Sequence, residues 1–374
     1  MNRITWLAGV LACAGCAQLD SAHDTQDVAA ASDALRLAQK RGAVFTIGNE
    51  VDGNDVVAFP RDRHGVLGAP IAYATGGKGT GDSLASQSAL VLTEDHRFLI
   101  AVNAGSDDVS SFAIDGSELT LVDRAASRGV RPVSVTARHG LVYVLNAGEP
   151  ANVSGFALDR RGRLLPLPHA TRALTGTGLG AAQVELTPDA RTLVVTEKAA
   201  NAIETFRVGA LGRLDAPIVN ASAGTTPYGF EFTRDGHLIV SEAASASLSS
   251  YAVRPRSGLS LQSGAVPDTQ AAPCWVAISG DDRWAFTSNA GSGSISSYEI
   301  GRRGTLELAD PRAGELEEGG APLDMALDQN GRFLYVLDRG NAGVTAFDVG
   351  RDGELDLLDA AGGLPPFATG LAAY

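Results

Sequence analysis

The sequence predicts an all-β fold: a seven-bladed β-propeller of four-stranded blades over residues 43–374, closed by the C-terminal strand joining the first blade. Three observations carry this. One unit recurs seven times. Each copy holds four short β-rich runs separated by turn residues. The first copy lacks a strand, and the end of the chain resembles it.

The unit starts with Pro and an apolar stretch, then a polar turn often containing Asp, Gly and Arg. A strand follows that ends in Asn, Asp or Glu. An aromatic comes nine or ten residues later, and after it a charged turn. In the clearest copy, Pro322-Leu323-Asp324-Met325-Ala326-Leu327 leads into the turn Asp328-Gln329-Asn330-Gly331-Arg332. The strand from Phe333 ends at Asp338, and Val344-Thr345-Ala346-Phe347 and a second turn complete the copy. The aromatic anchors are Phe59, Phe112, Phe156, Phe206, Tyr251, Tyr298 and Phe347, spaced by 53, 44, 50, 45, 47 and 49 residues. The polar strand ends are Asn49, Asn103, Asn146, Glu197, Glu242, Asn289 and Asp338. No segment sustains a helical period. A repeat of about 48 residues is the size of one blade and too short for a β-sandwich. The first unit opens at Ala43-Val44-Phe45-Thr46-Ile47 without its Pro-led inner strand, which Pro366-Phe367-Ala368-Thr369-Gly370-Leu371 would supply. Closure of this kind removes two edges whose unpaired backbone groups invite aggregation.

Upstream of the repeats, Arg3 precedes an apolar run from Ile4 to Ala14, followed by Gly15-Cys16. The run is too short to span a bilayer, which takes about 20 residues. It reads as an export signal over residues 1–16. Val10-Leu11-Ala12-Cys13 and Cys13-Ala14-Gly15-Cys16 both resemble the bacterial lipobox. Cys16 or Cys13 is therefore the expected lipidation site, with a plain secretory signal as the alternative. Residues 17–42 are polar and Ala-rich and read as a tether. The expected location is the periplasm or the outer membrane, as a lipoprotein whose lipid is its only membrane contact. Cys274 would then be a lone thiol in an oxidising space, safe only when buried.

The charge balance, 30 Lys+Arg against 43 Asp+Glu for a net −13, excludes a nucleic-acid partner, which needs a basic face. Three cysteines exclude a disulfide framework. No P-loop, dinucleotide fingerprint, Gly-x-Ser-x-Gly elbow, Cys-x-x-Cys or calcium loop occurs. No cofactor and no metal is expected.

Antiparallel strands sort the loops by face. Turns after the first and third strands of a blade share the bottom; loops before the first and after the second share the top. His64, His96, His139 and His237 all fall in bottom turns, which disfavours a His-based site at the top. The top mouth collects Ser88, Val133, Ala182, Tyr228, Cys274, Leu323 and Phe367. The positions after these are Ala89, Ser134, Gln183, Gly229, Trp275, Asp324 and Ala368. Catalytic candidates are Tyr228, Gln183, Glu197, Glu242 and Arg131, with Glu197 and Glu242 at equivalent places in adjacent blades as a conceivable carboxylate pair. Ligand-binding candidates are Trp275, Asp324, Asn289 and Asp338. Plainer readings stand beside these. Strand-end Asn and Asp can bond their own turn backbone, the carboxylates can be solvated, and Trp275 can plug the channel. Two glycine-rich top loops, 75–81 and 175–180, could offer N–H groups to an anion but read better as flexible connections. The expected partner is a small molecule or a protein at the top face.

Ser-Gln-Ser-Ala-Leu-Val-Leu at 86–92, Leu186-Thr187-Pro188-Asp189, Val102-Asn103-Ala104-Gly105 and Gly331-Arg332-Phe333-Leu334-Tyr335-Val336 resemble the seven-bladed lactonase-like propeller family. That family includes bacterial 6-phosphogluconolactonase and fungal carboxymuconate cyclase. The resemblance spans about residues 43–374. It implies a lactone hydrolase or lactone-forming cyclase. The Val-Asn-Ala-Gly strand ends are also similar to surface-layer propellers, which are not enzymes. The resemblance further implies a His and an Arg atop adjacent inner strands, and here Ala182 and Tyr228 hold those places. Gly229 stands where a second His would. Two functions therefore remain open. One acts on an unphosphorylated lactone or sugar-acid derivative; the other binds a ligand or protein without catalysis.

Overall fold

The structure, a computed structural model, describes residues 42–176 and 180–374. The export signal, both candidate lipidation cysteines, all but the last tether residue and the middle of the 175–180 loop lie outside the described residues. Among the described residues, twenty-nine strands make seven antiparallel sheets, as the repeat count predicts. Six sheets have four strands. In blade three the outer strand is split into Leu164–Pro166 and Arg172–Ala173, both pairing with Asn152–Leu158. The break falls at Pro166-Leu167-Pro168, where two prolines offer no ladder N–H.

All seven aromatic anchors are buried on third strands. Their period is the period of core packing between neighbouring blades, which is why the spacing can be read directly from the order of residues along the chain.

The ring closes in blade one, where the C-terminal strand pairs antiparallel with Gly42–Ile47. The closing strand is Thr369–Ala373 and not the Pro366-led run expected from alignment on proline. Pro365 and Pro366 are adjacent and neither can donate to the ladder, so pairing starts three residues later. Phe367 accordingly sits in a turn, 40% exposed, and leaves the inner ring. Closure is reinforced by Arg61, whose guanidinium meets Asp328 of blade seven at 3.2 Å, both side chains being buried. Arg61 Nε also donates to the Tyr374 carbonyl (2.8 Å).

Two recurring devices position the channel. Inner strands of blades three to seven carry a register shift just after their first residue. Such bulges re-aim side chains at a rim. In blades four to six, a hydroxyl one residue before the polar strand end ties the blade to the next. Thr196, Ser241 and Ser288 donate to the carbonyls of Tyr228, Cys274 and Leu323 at 2.6, 2.6 and 2.7 Å.

Candidate active site in the central channel

The top mouth is not open. Residues 82–88, which lead into the inner strand of blade two, dip into the ring and bond to four other blades. Arg131 Nη2 donates to the Ser83 carbonyl (3.2 Å) and Lys198 Nζ to the Ala85 carbonyl. Ser86 Oγ donates to the Val133 carbonyl (2.7 Å), and Trp275 Nε1 to the Ser86 carbonyl (2.9 Å). The Gln87 amide reaches across the ring to blade six. Its Nε2 donates to the Val276 carbonyl (2.8 Å), and its Oε1 accepts from the Val276 N–H (3.1 Å). Ser88 N–H donates to Asp324 Oδ2 of blade seven (3.0 Å). Gly229 is glycine because a Cβ there would lie 2.1 Å from Gln87 Oε1.

This segment decides where the top-face candidates sit. Tyr228 and Trp275 are each 7% exposed and meet edge-on, ring centroids 5.1 Å apart. Lys198 lies over the Tyr228 ring at 4.8 Å, and burial holds its amine down to about 8. Burial likewise pushes the Cys274 thiol up to about 12, which disfavours the reactive thiolate. Gln183 is spent on a clamp of its own. Its Nε2 donates to the Phe230 carbonyl (2.9 Å), and Phe230 N–H donates to its Oε1 (2.7 Å). Ala182 is fully buried.

Gln87→Ala should cost about 2–4 kcal/mol, because it strands both backbone groups of Val276 in a buried layer. Urea unfolding measures this. A loss below about 0.5 kcal/mol, the range of an ordinary surface change, would show that the segment does not tie the ring together.

The strand-end residues are blade interior, not channel. Asn103 Nδ2 donates to Asp108 (2.6 Å) and Ser110 (2.9 Å); Asn289 Nδ2 donates to Ser294 (3.2 Å) and Ser296 (2.8 Å). Glu242 has no exposure and accepts from Ser222 (2.7 Å), Gly224 N–H (2.7 Å), Ser247 (3.1 Å) and Ser249 (2.8 Å). Asp338 accepts from the N–H groups of Ala321 (2.9 Å) and Asn341 (3.3 Å) and from the Asn341 amide (2.8 Å). The partners are mainly residues of the following strand and loops, and less the local turn backbone expected from sequence. Glu197 is not brought against Glu242. Its charged neighbour is Glu204 on the next strand of its own blade, and burial with that charge pushes Glu197 up to about 8. Of the ligand-binding candidates, Asp324 alone lines the channel cavity described next. Burial pushes its carboxyl up to about 7, against donation from the Ser88 and Met325 N–H groups.

Below the 82–88 segment the channel opens downward as a cavity of about 370 Å³, with Gln87 and Ser88 among its lining residues. One ring of residues dominates it: Val91, Thr136, Glu185, Glu231, Ala277, Ala326 and Leu371. Register explains the ring. In blades two to seven, each of these residues faces the position three before the polar strand end on its neighbour strand. Within this ring of seven, only blades four and five contribute charges. Glu185 and Glu231 are half-buried, adjacent across the blade boundary and hydrogen-bonded to each other. Burial raises both. The charge of Glu231 raises Glu185 further, while the Arg138 guanidinium pulls both down. The two carboxyls therefore titrate together, in the arrangement in which one proton is shared between a pair. Gln183 Nε2 (3.3 Å) and Phe232 N–H (3.1 Å) hold Glu185 and Glu231 in place.

Sequence reasoning missed this pair, although a signal was present. Each Glu is the one charged residue of its inner strand, Ala-Ala-Gln-Val-Glu-Leu and Pro-Tyr-Gly-Phe-Glu-Phe, at the same place in adjacent repeats.

Comparison with known proteins agrees with the resemblance read from the repeats. A family model described as lactonase, seven-bladed beta-propeller, matches residues 39–173 and 149–262. A 6-phosphogluconolactonase of Yersinia pestis is 24% identical over 237 residues, covering 61% of this chain and 68% of that protein. Among solved structures, a periplasmic gluconolactonase of Pseudomonas aeruginosa superposes with a TM-score of 0.71 at 16% identity, covering 89% of this chain and 99% of the other. A protein from Lactobacillus plantarum superposes with a TM-score of 0.73 at 18% identity, covering 89% and 100%.

Proposed function

The chain belongs to the seven-bladed β-propeller lactonase family, and on that premise we propose that it hydrolyses an unphosphorylated lactone in the lower half of its central channel. The observation that supports this is the Glu185–Glu231 pair, two carboxyl groups sharing a hydrogen bond in an open cavity. Glu231 takes a proton from water as the water oxygen attacks the lactone carbonyl. Glu185 gives its proton to the ring oxygen as the C–O bond breaks. A hydroxy acid is released, and the pair is reset by one proton exchange with solvent. Arg138 stands beside the pair with its positive charge, where negative charge develops on the carbonyl oxygen.

The substrate class follows from charge. The Glu185–Glu231 pair keeps one negative charge even with a shared proton, and Asp324 and Glu94 line the cavity with it against the single guanidinium of Arg138. A phosphate dianion would meet net repulsion there. The purified protein should therefore release acid from simple sugar lactones, with kcat/KM at least about tenfold above that for a 6-phosphorylated sugar lactone, a modest gap for like charges in a cleft. Acid release is followed in a pH-stat beside a working lactonase. No acid from any member of the panel would sink the catalytic reading. Saturable binding without turnover would leave the non-catalytic ligand-binding alternative.

A further inference from the structure

A second cavity lies at the bottom beside the channel mouth, and the catalytic reading leaves it unused. It measures about 260 Å³ and sits between the turn of blade two around Thr93–Phe98 and the turns of blade three around His139 and Asp159. Thr93, Glu94, Ala137 and Arg138 line both this cavity and the channel cavity, so the two spaces adjoin at Arg138. We propose that this groove holds an apolar substituent of the substrate: the lactone ring lies in the channel and an alkyl or acyl chain lies along the groove. This rests on the channel reading above and adds the substrate's second half.

The groove has an apolar wall within a charged rim. Phe98, Ala137, Leu141 and Leu158 line it, with Phe98 buried and the others half-buried. Gly140 lines it with a positive φ of +75°, and a Cβ there would meet only the Leu158 carbonyl, at 3.8 Å. A side chain at that turn would project into the space and strain the backbone as well. Charges around the groove are largely paired with one another. Glu94 accepts from Arg138 (3.3 Å) and from the His139 N–H (2.8 Å). Asp159 is bound by Arg163 at 2.8 Å. The Arg97 guanidinium lies over the Phe98 ring at 5.2 Å. A charged tail would have to break these pairs, whereas a hydrocarbon chain covers apolar wall and leaves them intact.

The test is a series of δ-lactones carrying no substituent, a propyl chain or a hexyl chain at the ring carbon next to the ring oxygen. The readout is the ratio of kcat/KM for the hexyl and unsubstituted lactones. In the native protein that ratio should be about ten or more. Leu158→Trp fills the groove and should bring it close to one. Leu141→Trp, on the facing wall, reads the same ratio should Leu158→Trp fail to fold. A native ratio near one overturns the proposal, as does a ratio that both folded variants leave unchanged. If no lactone is turned over, the channel reading fails on its own. The groove is then decided by calorimetric binding of the hexyl lactone to native protein and Leu158→Trp. Weaker binding to the variant upholds it, and equal or absent binding overturns it.

Discussion

Replacing Glu231 by Gln is expected to lower kcat/KM for lactone opening by about 10²–10⁴-fold, the contribution of a positioned acid–base group, while the fold stays intact. The amide matches the carboxylate in shape and can still accept the Phe232 N–H, but it cannot take a proton from water. The native pH profile should be bell-shaped. Activity appears as Glu231 loses its proton, above the usual glutamate range because burial disfavours the charged form. Activity disappears as Glu185 loses its own proton, higher still because burial and the Glu231 charge both oppose ionisation. Glu185→Gln should remove the falling limb, since the group whose ionisation produces it is gone. A Glu231→Gln protein with native rate and native profile would sink the channel site.

Glu242→Ala should destabilise the fold by about 3–5 kcal/mol, near the upper end for a single substitution. The carboxylate has no exposure and satisfies donors from Ser222, Gly224, Ser247 and Ser249. Removing it strands those donors in a space too enclosed for ready rehydration, and each lost partner carries a desolvation cost of about 1–3 kcal/mol before relaxation. Glu242→Gln should cost far less, because serine hydroxyls can turn and accept from the new amide. Denaturant midpoints report the difference. A Glu242→Ala protein of native stability but without lactone turnover would return Glu242 to the catalytic candidates.

The same repeats that made the fold legible hid part of the site. Aligning copies on proline placed the top positions correctly in blades three to seven. It failed at the closing strand, where adjacent prolines shift the ladder and Phe367 drops out of the ring. Strand-end residues were visible as a pattern, but their role was not. A polar residue with a constant offset from an aromatic anchor looks the same whether it faces a channel or bonds the next strand. Glu185 and Glu231 were as regular as Glu197 and Glu242, yet only the folded ring sets them apart: Glu242 is saturated by donors inside its blade, whereas Glu185 and Glu231 meet each other in the channel cavity.

Blade number, blade size, the anchors and the terminal closure were properties of the chain alone, because each blade is a local hairpin series whose period is written every few dozen residues. The end of the channel left open was a matter for the assembled ring. It hinges on contacts such as Gln87 to Val276, separated by 189 residues, and no local pattern encodes a bond that exists only once distant blades have been bent into a circle.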